Sequence, residues 1–70
     1  MSAKTPRQQW DALTHDQKQY LEDFITNGDI THTEELETLG FALFSKHERR
    51  WLPTLEGLEC YEAGTGLSHH

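Results

Sequence analysis

Seventy residues and 8.1 kDa allow one small domain that buries only about 60% of its unfolded surface, which excludes a large enzyme cleft. Hydrophobic residues make up 34% of the chain, yet two Trp, two Tyr and three Phe supply the large apolar units of a thin core. Twelve acidic against six basic residues leave a net charge of −6 and a pI near 5.1, which argues against broad attraction to nucleic acid or to an anionic membrane.

After a loose arm over residues 1–5, Thr5-Pro6-Arg7-Gln8 carries the marks of a helix start: a capping hydroxyl, proline at the first helical position and glutamine at the third. A short helix at about 6–13 is predicted, with Trp10 and Leu13 on the face that docks. Thr14-His15-Asp16-Gln17 repeats the capping pattern, and Tyr20, Leu21, Phe24 and Ile25 recur at helical spacing. The spacing predicts a helix over 15–26 closed by Asn27-Gly28. Ile30 is expected to re-enter the fold. Another start is read at Thr31-His32-Thr33-Glu34, with Glu34, Glu35 and Glu37 near a helix N-terminus, Leu36 and Leu39 on the buried side and Gly40 at the end.

Phe41-Ala42-Leu43-Phe44 is an apolar run that fits a strand or a buried helix. Pairing of 41–45 with 50–54 across Lys46-His47-Glu48-Arg49 sets Phe44 opposite Trp51 and Leu43 opposite Leu52. Each such cross-strand match is worth roughly 0.2–1 kcal/mol relative to alanine. The alternative, a helix from about 33 to 49 through Gly40, gives an all-α three- or four-helix bundle at a cost of about 1 kcal/mol for the glycine. A last helix is expected at about 55–63, capped by Thr54, with Leu55, Leu58 and Tyr61 along one apolar side and Gly64-Thr65-Gly66 as its stop. Residues 1–66 thus read as a single α+β domain and 67–70 as a disordered tail, in which the His69-His70 pair is assigned no function.

The stretch from Gly40-Phe41-Ala42-Leu43-Phe44 through Arg49-Arg50-Trp51-Leu52-Pro53 to Thr54-Leu55-Glu56-Gly57-Leu58-Glu59 resembles the hairpin and following helix of winged-helix domains. Those read as apolar strand, basic turn, strand, and then a threonine, two residues and a glycine that open a helix. Ile30-Thr31-His32-Thr33-Glu34-Glu35-Leu36 is similar to the segment that opens their second helix. The matches span roughly half the chain. The resemblance implies a helical base carrying a hairpin and no catalytic residues. Only about eight residues separate Thr31 from Gly40, where the family places two helices. The expected architecture is therefore an abbreviated winged-helix-like domain without room for a full recognition helix.

Charge is unevenly spread. Residues 1–7 carry +2, 8–45 carry −7, 46–50 carry +2 and 51–70 carry −3. The basic hairpin segment, Lys46, His47, Arg49, Arg50 and Trp51, is the main candidate contact, because arginine pairs with phosphate or carboxylate and tryptophan offers a stacking face. The competing reading is a solvated turn with Trp51 packed in the core. Phe44 joins the candidate surface through its pairing with Trp51, since the two cross-strand pairs lie on opposite faces of a two-stranded sheet and one is left partly exposed. Glu34, Glu35 and Glu37, within the acidic middle of the chain, are candidates for engaging a basic partner or simply helix residues facing water.

Reaction chemistry finds no support. His15, His32 and His47 stand apart without metal-ligand spacing, Cys60 has no second cysteine, and no glycine loop for phosphate is present. No enzyme, metal or cofactor is expected. The lone cysteine favours a reducing, cytoplasmic setting, and the absence of an apolar run of about 18 residues or a signal peptide argues against membrane insertion or export. Two functions compete: a non-catalytic module that regulates or inhibits a partner protein through its hairpin and acidic helices, and a DNA-binding transcriptional regulator, dimeric, using the hairpin and the Lys4/Arg7 arm. A homodimer would double the few cations and cover an apolar face.

Overall fold

The computed structural model describes residues 4–66. Six elements follow in order: α1 (Pro6–Ala12), α2 (His15–Asn27), α3 (Thr33–Leu39), β1 (Ala42–Ser45), β2 (Arg50–Pro53) and α4 (Leu55–Thr65). The domain is α+β, its helices carrying one antiparallel hairpin, and the continuous helix from 33 to 49 that would give an all-α bundle does not form. Residues 1–3 of the expected arm and the expected tail 67–70 lie outside the described residues.

Both predicted capping boxes are present. Gln8 N–H donates to Thr5 Oγ1 at 3.2 Å while Thr5 N–H donates to Gln8 Oε1 at 3.0 Å. The Thr14 and Gln17 pair repeats this at 3.1 and 3.0 Å, satisfying N–H groups that a helix start leaves without partners. Leu21 and Phe24 of α2 are buried, with Tyr20 and Ile25 partly buried beside them. Trp10 of α1 lies on α4: its ring meets Tyr61 edge-on at 6.3 Å, and a Cβ built on Gly64 would stand 2.1 Å from ring atoms. The small residue is what lets the indole seat there. Lys18 Nζ lies 5.7 Å from the centroid of the same ring.

α3 starts differently from the sequence reading. Thr31 does not cap it, because Asp29 captures that residue: Thr31 N–H and Oγ1 both donate to Asp29 Oδ1, at 2.9 and 2.6 Å. The hydroxyl and the amide together hold the Asp29 carboxyl below the usual carboxylate range. His32 is the N-cap residue without a side-chain cap bond, and its ring stacks on Tyr20 at 3.6 Å, the planes 10° apart. Ile30 does not enter the core but is 61% exposed. Thr33 takes the interior place, 5% exposed, its hydroxyl donating to the Ile30 carbonyl at 3.2 Å.

The hairpin has the predicted register: Phe44 faces Trp51 and Leu43 faces Leu52. At its open end, Phe41 N–H donates to the Leu36 carbonyl at 2.9 Å, and Thr54 N–H donates to the Phe41 carbonyl at 3.0 Å. Thr54 Oγ1 donates to the Gly40 carbonyl at 2.8 Å and accepts from Gly57 N–H at 3.0 Å. One hydroxyl thereby joins the end of α3, the base of the hairpin and the first turn of α4.

α4 runs through Gly64 to Thr65, two residues past its expected end at 63, because Gly66 rather than Gly64 adopts the left-handed cap conformation, φ 77°. Its buried face also differs from the expected one. Leu55 is 71% exposed and Leu58 half-buried, while Gly57, Cys60 and Tyr61 are buried. The core comprises Leu13, Leu21, Phe24, Leu36, Phe41, Ala42, Cys60 and Tyr61. Cys60 is fully enclosed, and burial, assisted by the nearby Glu56 carboxylate, pushes its thiol up to about 11.

Candidate functional site

The hairpin tip is built by Ser45. Its carbonyl accepts from Arg49 N–H at 2.7 Å and its hydroxyl accepts from Glu48 N–H at 3.1 Å, which closes Lys46 to Arg49 into a compact turn. The closure brings Arg49 to φ 58°, a left-handed conformation that a side chain adopts at a cost of roughly 1–2 kcal/mol. Arg50 then folds back on Glu48, its Nη2 at 2.9 Å and Nε at 3.1 Å from Glu48 Oε1. Both partners are largely exposed, 66% and 45%, so the pair adds about 0–1 kcal/mol. Its larger effect is on charge. Arg50 is locally neutralised, whereas Lys46 and Arg49 have no ion-pair partner among the described residues.

Beside the turn stand the aromatics. Phe44 and Trp51 meet edge to face, centroids 5.6 Å apart and planes at 70°, a geometry worth about 0.5–1.5 kcal/mol beyond area burial. Their surroundings differ. Trp51 is half-buried and packs against the core, which leaves part of it at the surface. Phe44 is 45% exposed. On the opposite sheet face Leu43 is equally exposed, 45%, over a half-buried Leu52. Both cross-strand pairs therefore turn their β1 member outward, where one exposed pair was expected. Leu43 is an exposed apolar residue absent from the sequence-derived set, and the signal for it was its place on the sheet face opposite Trp51.

Lys46, Arg49, Arg50, Trp51 and Phe44 are thus brought together on one hairpin. The acidic candidates are not part of it: Glu34, Glu35 and Glu37 are exposed on α3, and among the described residues no hydrogen bond or ion pair joins them to the hairpin cations. Glu35 instead accepts from Gln17 Nε2 of α2 at 2.9 Å. Arg7, a candidate in the N-terminal arm, pairs with Asp11 one turn along α1 at 3.3 Å. Among the described residues no three His, Cys, Asp or Glu side chains form a group able to hold a metal ion, and no helix is long and apolar enough to cross a membrane. Comparison with protein-family models, with curated proteins and with solved structures finds no match to this chain.

Proposed function

We propose that the chain is a non-catalytic protein-binding module that regulates or inhibits a partner protein, with the hairpin as its contact. The supporting observation is that Leu43 and Phe44, each 45% exposed and on opposite faces of the hairpin, share it with Lys46 and Arg49, which have no ion pair among the described residues. A phosphate backbone offers nothing to two apolar side chains, whereas a protein surface offers apolar pockets and carboxylates together. The composition of α3 favours the same reading: Thr33 to Leu39 contains three glutamates and no cation, so this helix would repel phosphates. On this proposal the winged-helix likeness supplies the scaffold, the hairpin is its wing, and the setting is the reducing cytoplasm that a lone thiol favours.

Affinity capture with the wild-type chain and with a Phe44→Ser, Arg49→Ala double variant tests the proposal. One protein is expected to co-purify in stoichiometric amount with the wild type and to be lost with the variant, while labelled duplex DNA stays unbound at about 0.15 M salt. Sequence-specific duplex binding at that salt, abolished by Arg49→Ala plus Arg50→Ala, would establish the DNA-binding regulator instead.

A further inference from the structure

The two apolar side chains that the hairpin leaves open stand on opposite faces. Leu43 pairs with Leu52 and Phe44 with Trp51, and successive strand residues alternate between the faces of a sheet. Leu43 and Phe44 are exposed, while their cross-strand partners are half-buried. Beyond them the chain turns through Lys46 to Arg49, all four residues exposed. Lys46 and Arg49 have no ion pair among the described residues, whereas Arg50 is held by Glu48. Ser45 fastens the turn by accepting from the N–H groups of Arg49 and Glu48. The tip is therefore ordered before anything binds, which lowers the ordering cost of an encounter.

On the reading of the hairpin as the partner contact, we infer that it acts as a wedge. It enters a cleft of the partner protein whose two walls are apolar and whose floor carries aspartate or glutamate. A flat surface covers one face of a ribbon and leaves the other in water, so only a concave one covers Leu43 and Phe44 together. Charge fixes where the carboxylates lie. The whole chain carries −6, and since Lys46 and Arg49 contribute +2, everything else carries −8. A broad acidic surface is repelled by that remainder. Strand residues advance roughly 3.3 Å each, which sets Lys46 about 10 Å beyond Leu43. The screening length at physiological salt is shorter, about 8 Å. Carboxylates recessed to the depth of the tip feel its two cations and little of the acidic body, which is the complementarity a cleft floor supplies.

The probe is the protein captured stoichiometrically by the wild-type chain, purified and titrated against variants by calorimetry. Leu43→Thr and Phe44→Thr each remove one apolar side chain, and threonine keeps the preference for a strand. With the spectrum of each variant still dispersed, each should weaken binding about tenfold or more. In the complex the Leu43 methyls and the Phe44 ring should both lose contact with a soluble paramagnetic agent. A carbodiimide, which condenses an amine with a carboxylate, should join Lys46 to an aspartate or glutamate of the captured protein. Weakening by Phe44→Thr alone, with Leu43 still open to the agent, overturns the cleft and leaves the hairpin contact standing. A cross-link through Lys18 in place of Lys46, or none at all, overturns the acidic floor. Unchanged affinity in both threonine variants and in Arg49→Ala overturns the cleft and the hairpin contact together, as does the failure of any protein to be captured. Self-association of the chain that the two threonine substitutions abolish makes a second copy the occupant, and also overturns the cleft.

Discussion

Gly57 lies so close to Phe41 that a Cβ on it would stand 2.6 Å from the Phe41 carbonyl oxygen and 3.0 Å from its Cα. The neighbour here is backbone, so the contact cannot be relieved by rotating a side chain. Thr54, three residues earlier, bonds across the same junction to Gly40. Together they explain a threonine, two residues and a glycine at this place in the chain: the hydroxyl ties the hairpin base to α4, and the missing side chain lets the two backbones meet.

Gly57→Ala sets two effects against each other. Helix propensity favours alanine by about 1 kcal/mol, while forcing a methyl into the Phe41 backbone costs typically 1–3 kcal/mol and strains the Thr54 bond. Net destabilisation is expected, measured by urea unfolding. A more stable variant would mean that the helix and the hairpin base are free to move apart.

Arg49 offers the opposite sign. Because its φ of 58° is a conformation glycine adopts without penalty, Arg49→Gly should raise stability by about 0.5–1 kcal/mol, and Arg49→Val should lower it. If the hairpin is the partner contact, the glycine variant gains thermal stability and loses affinity together. Loss of both stability and binding would place Arg49 in a structural role.

Trp51 and Phe44 are separable although their rings touch. Trp51→Ala removes a half-buried indole from the core edge and should cost about 2–3 kcal/mol, less than the roughly 3–5 kcal/mol of a fully buried one. Phe44→Ala should cost about 1 kcal/mol, the scale of its edge-to-face contact. Chemical denaturation of both variants, alongside the capture assay, assigns the roles: Phe44→Ala should bind poorly while folding nearly as well as wild type. Equal destabilisation by the two would mean that Phe44 belongs to the core.

Cys60 predicts a pH dependence on the alkaline side. Its thiol is raised from 9.0 to about 11 in the fold, so the unfolded chain loses the proton first. The associated stability is fully present below about 9.0, declines as pH rises, and is lost through about 11. Unfolding curves for the wild type and Cys60→Ala should diverge across that window, since the two chains differ only in the thiol. Parallel curves would count against the enclosed, neutral thiol, as would rapid labelling of the native protein by a thiol reagent.

Local chemistry written in adjacent residues was legible. The two capping boxes follow from Thr5 with Gln8 and Thr14 with Gln17, and the hairpin register follows from pairing the largest apolar residues, Phe44 with Trp51 and Leu43 with Leu52. What escaped the sequence depends on competition or on contact across distance. Thr31 looked like a cap until Asp29, two residues before it, took its hydroxyl. Leu55 looked buried by spacing, but α4 turns inward its small residues, Gly57 and Cys60, which an apolar count passes over. In the hairpin, the cations were evident, while the pairing of Arg50 with Glu48 and the left-handed Arg49 arise only when Ser45 closes the turn. The bond from Gln9 of α1 to Glu56 of α4 is harder still to foresee, since the two are 47 positions apart.

The seating of Trp10 on Gly64 has a dynamic corollary. The first and last helices of the described segment form a clasp, so fraying at one is opposed by the other, and opening either requires both to let go. Amide hydrogens of α1 and of the closing turns of α4 should therefore exchange with solvent in concert, and a backbone cut between α1 and α2 should leave the severed α1 held on α4.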